Sequence, residues 1–166
     1  LVNELLTYKI ESGVKGMGIA HGSMFEMSTG FFPTGFVRLV TKKLEQNGYK
    51  ILVQGKPVPE PRGPENPVVS DFPPDPRYDY QPETMRRLVQ LKRMIAQVAT
   101  GGGKSEIFKL CCERLNLPTL FITTRKSLMY QMAKGYKSVK SSRPIGIIGD
   151  GKWDPQPNGV NFAIVD

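Results

Sequence analysis

The segment Val98-Ala99-Thr100-Gly101-Gly102-Gly103-Lys104-Ser105 has the residue types of a phosphate-binding loop. Three consecutive glycines let a backbone approach phosphate oxygens with no Cβ between them. If a strand leads in and a helix leads out, several N–H groups and a helix N-terminus converge on one anion. Thr100, Gly101, Gly102 and Gly103 would then line the triphosphate. Lys104 would reach the β- and γ-phosphates, and the Ser105 hydroxyl would hold Mg²⁺. The full pattern has glycine six residues before the lysine, where this chain has Val98. The expected ligand is therefore a nucleoside triphosphate with Mg²⁺, with Lys104 and Ser105 closest to the reacting phosphate.

Two further groups flank the loop. Upstream stands Arg77-Tyr78-Asp79-Tyr80-Gln81. The Gln81 amide can pair with an adenine edge through one donor and one acceptor. An aromatic neighbour such as Tyr78 can flank the base. Downstream stands Thr123-Thr124-Arg125-Lys126-Ser127-Leu128-Met129-Tyr130-Gln131, after an apolar run. Ligands of open α/β sheets bind at the C-terminal ends of strands. Hydroxyls, cations and a helix N-terminus at such an end suit a nucleic-acid phosphate.

These groups need elements to hold them. Over residues 81–166, helical and strand patterns alternate. A helix opens near Pro82 and runs to about Arg93, with Met85, Leu88 and Leu91 inward. A strand over 94–98, the loop and a helix over 104–115 follow. Then come a strand around Leu120-Phe121-Ile122, a helix over 127–136, and strands at 145–148 and 162–165. Alternating units of this kind imply a mostly parallel sheet covered on both faces. Residues 55–80 form a linker or extended arm, because nine of the fourteen prolines fall between Pro57 and Pro82. Proline removes backbone donors and blocks helix and central strand. Residues 1–54 suggest a small α+β accessory domain. It would have a short helix over 1–8, a longer helix opened by Pro33-Thr34 and ended by Asn47-Gly48, and a strand over 49–53. Met17, Met24 and Met27 are expected to fill its core, and Trp153 to pack against the larger domain.

The formal charge is +8 and the pI about 9.6, a surplus that suits a polyanionic partner. Cys111 and Cys112 are adjacent on a predicted helix and point in different directions, so they are expected to stay unbridged. His21 has no metal-ligating partner at suitable spacing. No apolar run approaches membrane-span length and no signal-peptide pattern occurs, so a cytoplasmic protein without membrane partners is expected. The basic side chains Arg86, Arg87, Lys92 and Arg93 read as a solvated helix face. Lys134, Lys137, Lys140 and Arg143 are further candidates for phosphate contact.

Tyr80-Gln81, Ala99 through Ser105, and Thr124 through Gln131 resemble the Q motif, motif I and motif Ia of superfamily 2 helicases. The run Phe32-Pro33-Thr34-Gly35-Phe36-Val37, the helix after it and Asn47-Gly48-Tyr49 are similar to the accessory domain of UvsW-type phage recombination helicases. Gly146-Ile147-Ile148-Gly149-Asp150-Gly151-Lys152-Trp153 resembles the stretch after motif Ia in the same proteins. The resemblance implies a RecA-like P-loop lobe that hydrolyses ATP to move along DNA. It implies unwinding or remodelling of forked and branched junctions, and single strands, in replication and recombination. It also implies that Gln81 reads adenine and that Thr124, Arg125 and Lys126 touch one DNA backbone. The family's acidic Mg²⁺ motif, its arginine finger and its second RecA-like lobe have no counterpart in residues 1–166. Phosphoryl transfer depends on such groups, so the chain is expected to be the N-terminal part of a larger helicase and inactive alone. Two other functions fit parts of the pattern. One is the translocating motor subunit of a restriction or remodelling complex. The other is a P-loop nucleotide-binding protein with no nucleic-acid role, against which the charge and Thr124-Arg125-Lys126 argue.

Overall fold

The computed structural model describes residues 1–10, 20–70, 75–139 and 141–165. The chain divides into two compact units, Leu1–Lys56 and Pro57–Asp166.

In the first unit, helix α1 (Val2–Leu5) leads into strand β1 (Thr7–Ile10), which pairs antiparallel with β2 (Ala20–Ser23). The expected helix over 1–8 therefore ends early. Thr7, Tyr8 and Ile10 are β-branched or aromatic and find a ladder partner, which outweighs local helix preference. Ser23 Oγ donates to Asn3 Oδ1 at 2.7 Å and ties α1 to the hairpin. A 3₁₀ turn (Thr34–Phe36) opens helix α2 (Val37–Gln46), and Gly48, at φ +84°, follows its end. Residues 49–53, expected as a strand, have no ladder partner among the described residues, and Leu52 is 80% exposed. Leu6 and Val40 are the buried apolar side chains of this unit among the described residues. Met24 and Met27 are exposed rather than core-filling, and Met17 lies outside the described residues.

The second unit begins with the proline-rich arm, which docks on a helix end. The amides of Arg62 and Gly63 donate to the carbonyls of Leu115 and Arg114 at 3.0 and 3.1 Å. The last carbonyls of a helix lack partners within it, and these amides supply them. A Cβ on Gly63 would meet the Glu113 carbonyl oxygen at 1.7 Å, so only glycine allows the approach. A 3₁₀ turn (Pro76–Tyr78) follows, then helix α3 (Tyr80–Leu91) and helix α4 (Lys104–Leu115), which pack together. Lys92 closes α3 in the left-handed conformation, φ +62°.

Between those helices, residues 94–98 form no strand, and Ile95 is 99% exposed. The apolar pattern there is strand-like, but a strand exists only through a hydrogen-bonded neighbour, and none of the described residues pairs with it. The other strands expected over residues 81–166 form, and Lys152–Asp154 adds one that was not expected. β3 (Thr119–Thr123), β4 (Ile145–Gly149), β5 (Lys152–Asp154) and β6 (Val160–Ile164) make one sheet of order β3-β6-β4-β5. β6 runs parallel to β3 and β4, and β5 closes a hairpin with β4. Helix α5 (Lys126–Lys137) connects β3 to β4.

Cross-strand partners share a sheet face. Phe121, Phe162 and Ile147 therefore point one way, and Ile122, Ala163, Ile148 and Trp153 the other. The first face is the core. Phe162 is fully buried against Phe108, Phe121 and Tyr136, with ring centroids 5.8 to 6.2 Å apart, and α5 adds Met129, Met132 and Ala133. The second face departs from the expectation of a sheet covered on both sides. Leu120 and Ile122 are about half exposed and Trp153 is 80% exposed, so Trp153 does not pack into the core. The period-2 pattern marks both faces as apolar but does not say which one the chain covers.

Four polar groups are absorbed by this packing. Arg143 donates to the carbonyls of Cys112, Leu117 and Gly159 and to Thr119 Oγ1, which removes it from the candidate phosphate contacts. The Tyr136 hydroxyl donates to Glu113, and burial pushes its pKa up to about 12. Burial also raises the Cys111 and Cys112 thiols, to about 11 and 12, so both stay protonated and unreactive near neutrality.

Candidate nucleotide and nucleic-acid sites

The glycine loop folds around left-handed residues. Gly101 and Gly103 sit at φ +80° and +71°, a region closed to most side chains. The Gly102 amide donates to the Ala99 carbonyl at 3.1 Å and tightens the turn. Gly103 then caps α4, its carbonyl accepting the amides of Glu106 and Ile107. An added Cβ at Gly103 would also stand 2.2 Å from the Gln81 amide nitrogen and displace that side chain from the loop.

That proximity joins the two nucleotide-directed groups. The Tyr80 hydroxyl donates to the Gly102 carbonyl at 2.6 Å, and Gln81 Nε2 approaches the same oxygen at 3.5 Å. The first turn of α3 is thereby fastened to the glycine loop. Tyr78 stands one ring further out, edge-on to Tyr80 at 6.3 Å and beneath the Arg77 guanidinium at 5.7 Å. Asp75 holds that guanidinium at 2.6 Å, and the pairing lowers the Asp75 carboxyl pKa and raises that of Arg77. Tyr78, expected to flank the base, stands further out, and Tyr80 is the aromatic residue that touches the loop. Its spacing before Gln81 was visible, but its reach to Gly102 depends on how α3 packs.

Tyr80, Thr84, Arg87, Gln97 and Gly102 line an open cleft of about 580 Å³ beside the loop. Glu83, at its rim, is paired with Arg86 and Arg87, and its carboxyl pKa is lowered by them. The Lys104 ammonium donates to the Ala99 carbonyl at 2.8 Å, inside its own loop. It is exposed at the N-terminus of α4, as are Thr100 and Gly101 beside it. A left-handed cradle, a helix N-terminus and a lysine held by one neutral carbonyl fit a triphosphate with its Mg²⁺. Ser105, in the first turn of α4, would be the metal's hydroxyl ligand. Among the described residues, no cluster of three His, Cys, Asp or Glu side chains could hold a metal by itself.

The second site lies at the tip of β3. Thr124, Arg125 and Lys126 are exposed there, with Arg125 as the extended N-cap of α5. Thr123 Oγ1 accepts the Arg125 amide at 3.2 Å and sets the turn into the helix. Lys126 is not free. Its ammonium pairs with Asp150 at 2.6 Å, and the Tyr130 hydroxyl donates to the other oxygen of that carboxylate at 2.8 Å. These contacts lower the Asp150 pKa and raise that of Lys126. Sequence spacing gave no sign of this pair, because Asp150 comes from the β4–β5 turn. No helix among the described residues is long and apolar enough to cross a membrane.

No curated protein and no solved structure gives a significant match to the chain. Residues 76–164 match the family model of the type III restriction enzyme res subunit. The match runs from the turn before Tyr80 to the end of β6 and so contains the glycine loop and the β3 tip. The chain belongs to this family, that of helicase-like, ATP-dependent nucleic-acid motors.

Proposed function

We propose that the chain is the nucleotide-gripping part of an ATP-driven DNA helicase that unwinds or remodels forked and branched DNA. The observation that carries this reading is the meeting of Tyr80 and Gln81 with Gly102. It joins a base-directed helix to a phosphate-directed loop, as a nucleoside triphosphate would require. Gln81 and Tyr78 would face the adenine. Thr100, Gly101, Gly102, Gly103 and Lys104 would hold the phosphates, and Ser105 the Mg²⁺. Bound Mg²⁺·ATP supplies the free energy of phosphoryl transfer to water. Within this chain, Lys104 would leave the Ala99 carbonyl to meet the phosphates, and the loop amides would fix their position. Thr124 and Arg125 would touch one DNA backbone at the β3 tip. The resemblance of Phe32 through Tyr49 to UvsW-type accessory domains supports forked or branched DNA as the substrate. The acidic Mg²⁺ motif, the arginine finger and a second RecA-like lobe would complete the site, as in the helicases the chain resembles.

The test is ATP turnover by the complete protein with and without DNA, followed by strand displacement on forked and blunt duplexes. DNA should stimulate turnover, and forked substrates should be displaced faster. Turnover indifferent to DNA would overturn the motor reading, and equal displacement of both substrates would overturn the preference for forks. Lys104→Ala should abolish turnover and leave DNA affinity within about threefold. Loss of both would make the loop a structural element.

A further inference from the structure

We propose that the β4–β5 turn is a second phosphate contact of the polynucleotide path, made by Lys152, and that Asp150 withholds Lys126 from that path. The inference rests on the reading that nucleic acid crosses the β3 tip. It adds a residue that none of the candidate contacts included and lowers the rank of one that they did.

The turn is built tightly. Gly149, Asp150 and Gly151 are all left-handed, with φ of +102°, +54° and +72°. Gly149 could carry no side chain, because an added Cβ would meet Ile164 Cγ2 at 2.3 Å. An aspartate in this conformation costs on the order of 1 kcal/mol relative to its ordinary backbone. Its carboxylate is fastened at both oxygens, by the Lys126 ammonium and the Tyr130 hydroxyl, and those bonds offset that cost. The turn is therefore pinned to the first turns of α5. Immediately after it, the Lys152 ammonium stands 5.1 Å over the Tyr130 ring. A cation there keeps its full charge, since an aromatic face orients it without neutralising it.

The topology brings this lysine to the right edge. β3 and β4 both run parallel to β6, so Thr123 and Gly149 end at the same edge of the sheet. One strand separates them, which places the tips about 10 Å apart at the usual inter-strand spacing. A nucleic-acid strand carries a phosphate about every 3.4 Å of helix rise, so one backbone can touch both tips. Along that edge stand Arg125, Lys126 and Lys152 as cations and Asp150 as an anion. Lys126 is paired with Asp150 at 2.6 Å, while Lys152 feels that carboxylate only through space, without an ion pair. Arg125 and Lys152 remain to meet phosphate.

The test measures binding of a labelled single-stranded oligothymidylate, by anisotropy, from about 50 to 200 mM salt. The complete protein is compared with four single variants. Each phosphate contact contributes about 0.7 to the salt slope on single strands. Lys152→Ala should lower the slope by about that amount and weaken binding several-fold at the lowest salt. Lys126→Ala should change it less. Asp150→Asn should tighten binding and steepen the slope, because it frees Lys126, and asparagine tolerates the left-handed backbone as well as aspartate does. A thermal melt of Asp150→Asn within a few degrees of the parent would establish that the turn is intact. An unchanged slope in Lys152→Ala, with Arg125→Ala reducing it, overturns this inference and leaves the β3 tip in place. Silence of both variants overturns the underlying path as well. A loss of affinity in Asp150→Asn with an unchanged melt would make Asp150 an organiser of the site and overturn its withholding role.

Discussion

The glycine loop and the β3 tip both offer an anion a helix N-terminus and a basic side chain, but they are anchored differently. The β3 tip ends a strand paired to β6 and backed by Phe121 and Phe162 in the core. The glycine loop follows residues 94–98, which have no ladder partner among the described residues, and is held from outside by Tyr80 and Gln81. A site on a paired strand inherits the rigidity of the sheet. A site on an unpaired segment takes its geometry from a few side-chain contacts, and from its ligand when one binds. The loop should therefore be the part whose order changes with nucleotide, and the β3 tip the part that stays fixed.

Three substitutions can break this contrast, taken from the largest expected effect to the smallest. Phe162→Ala empties the centre of the aromatic cluster, where the side chain is fully buried. It should destabilise the second unit by about 3–5 kcal/mol, read by urea unfolding. A loss below about 1 kcal/mol would mean that the sheet does not anchor the β3 tip. Gly103→Ala forces a Cβ into a left-handed position facing Gln81. The strain is about 1–2 kcal/mol, and nucleotide affinity, read with a fluorescent ATP analogue, should fall by more than tenfold. The global melting temperature should move far less than in Phe162→Ala. A comparable fall in both would show the loop to be coupled to the core after all. Tyr80→Phe removes one half-exposed hydrogen bond to Gly102, worth about 0.5–1.5 kcal/mol. Nucleotide affinity should fall a few-fold with unfolding unchanged, and no change in affinity would release α3 from its anchoring role.

The local parts of this architecture were legible in the sequence. Gly103 at the start of α4 and the apolar runs around Phe121, Ile147 and Phe162 announce their elements through spacing alone. The family match covers residues 76 to 164, the stretch that holds Tyr80-Gln81, the glycine loop and Thr124 through Gln131. What was misread depended on partners. Residues 94–98 and 49–53 carry strand patterns but lack a pairing neighbour among the described residues, while Thr7–Ile10 becomes a strand because Ala20–Ser23 pairs with it. Trp153 and Arg143 were misjudged in opposite directions. A large aromatic side chain lies on the uncovered sheet face, and a surface-type cation is spent on four polar partners around Leu117 and Gly159.

The sequence by itself determined the chemistry available: three glycines before Lys104-Ser105, a tyrosine–glutamine pair upstream and a basic turn downstream. Those follow from side-chain type and chain spacing, which need no fold to be read. Only the tertiary structure decided which of these groups touch. It gave Tyr80 the contact with the loop, paired Lys126 with an aspartate 24 positions away, and set Lys152 over the Tyr130 ring. Contacts between residues so far apart depend on helix packing and strand order, and neither is written in local spacing.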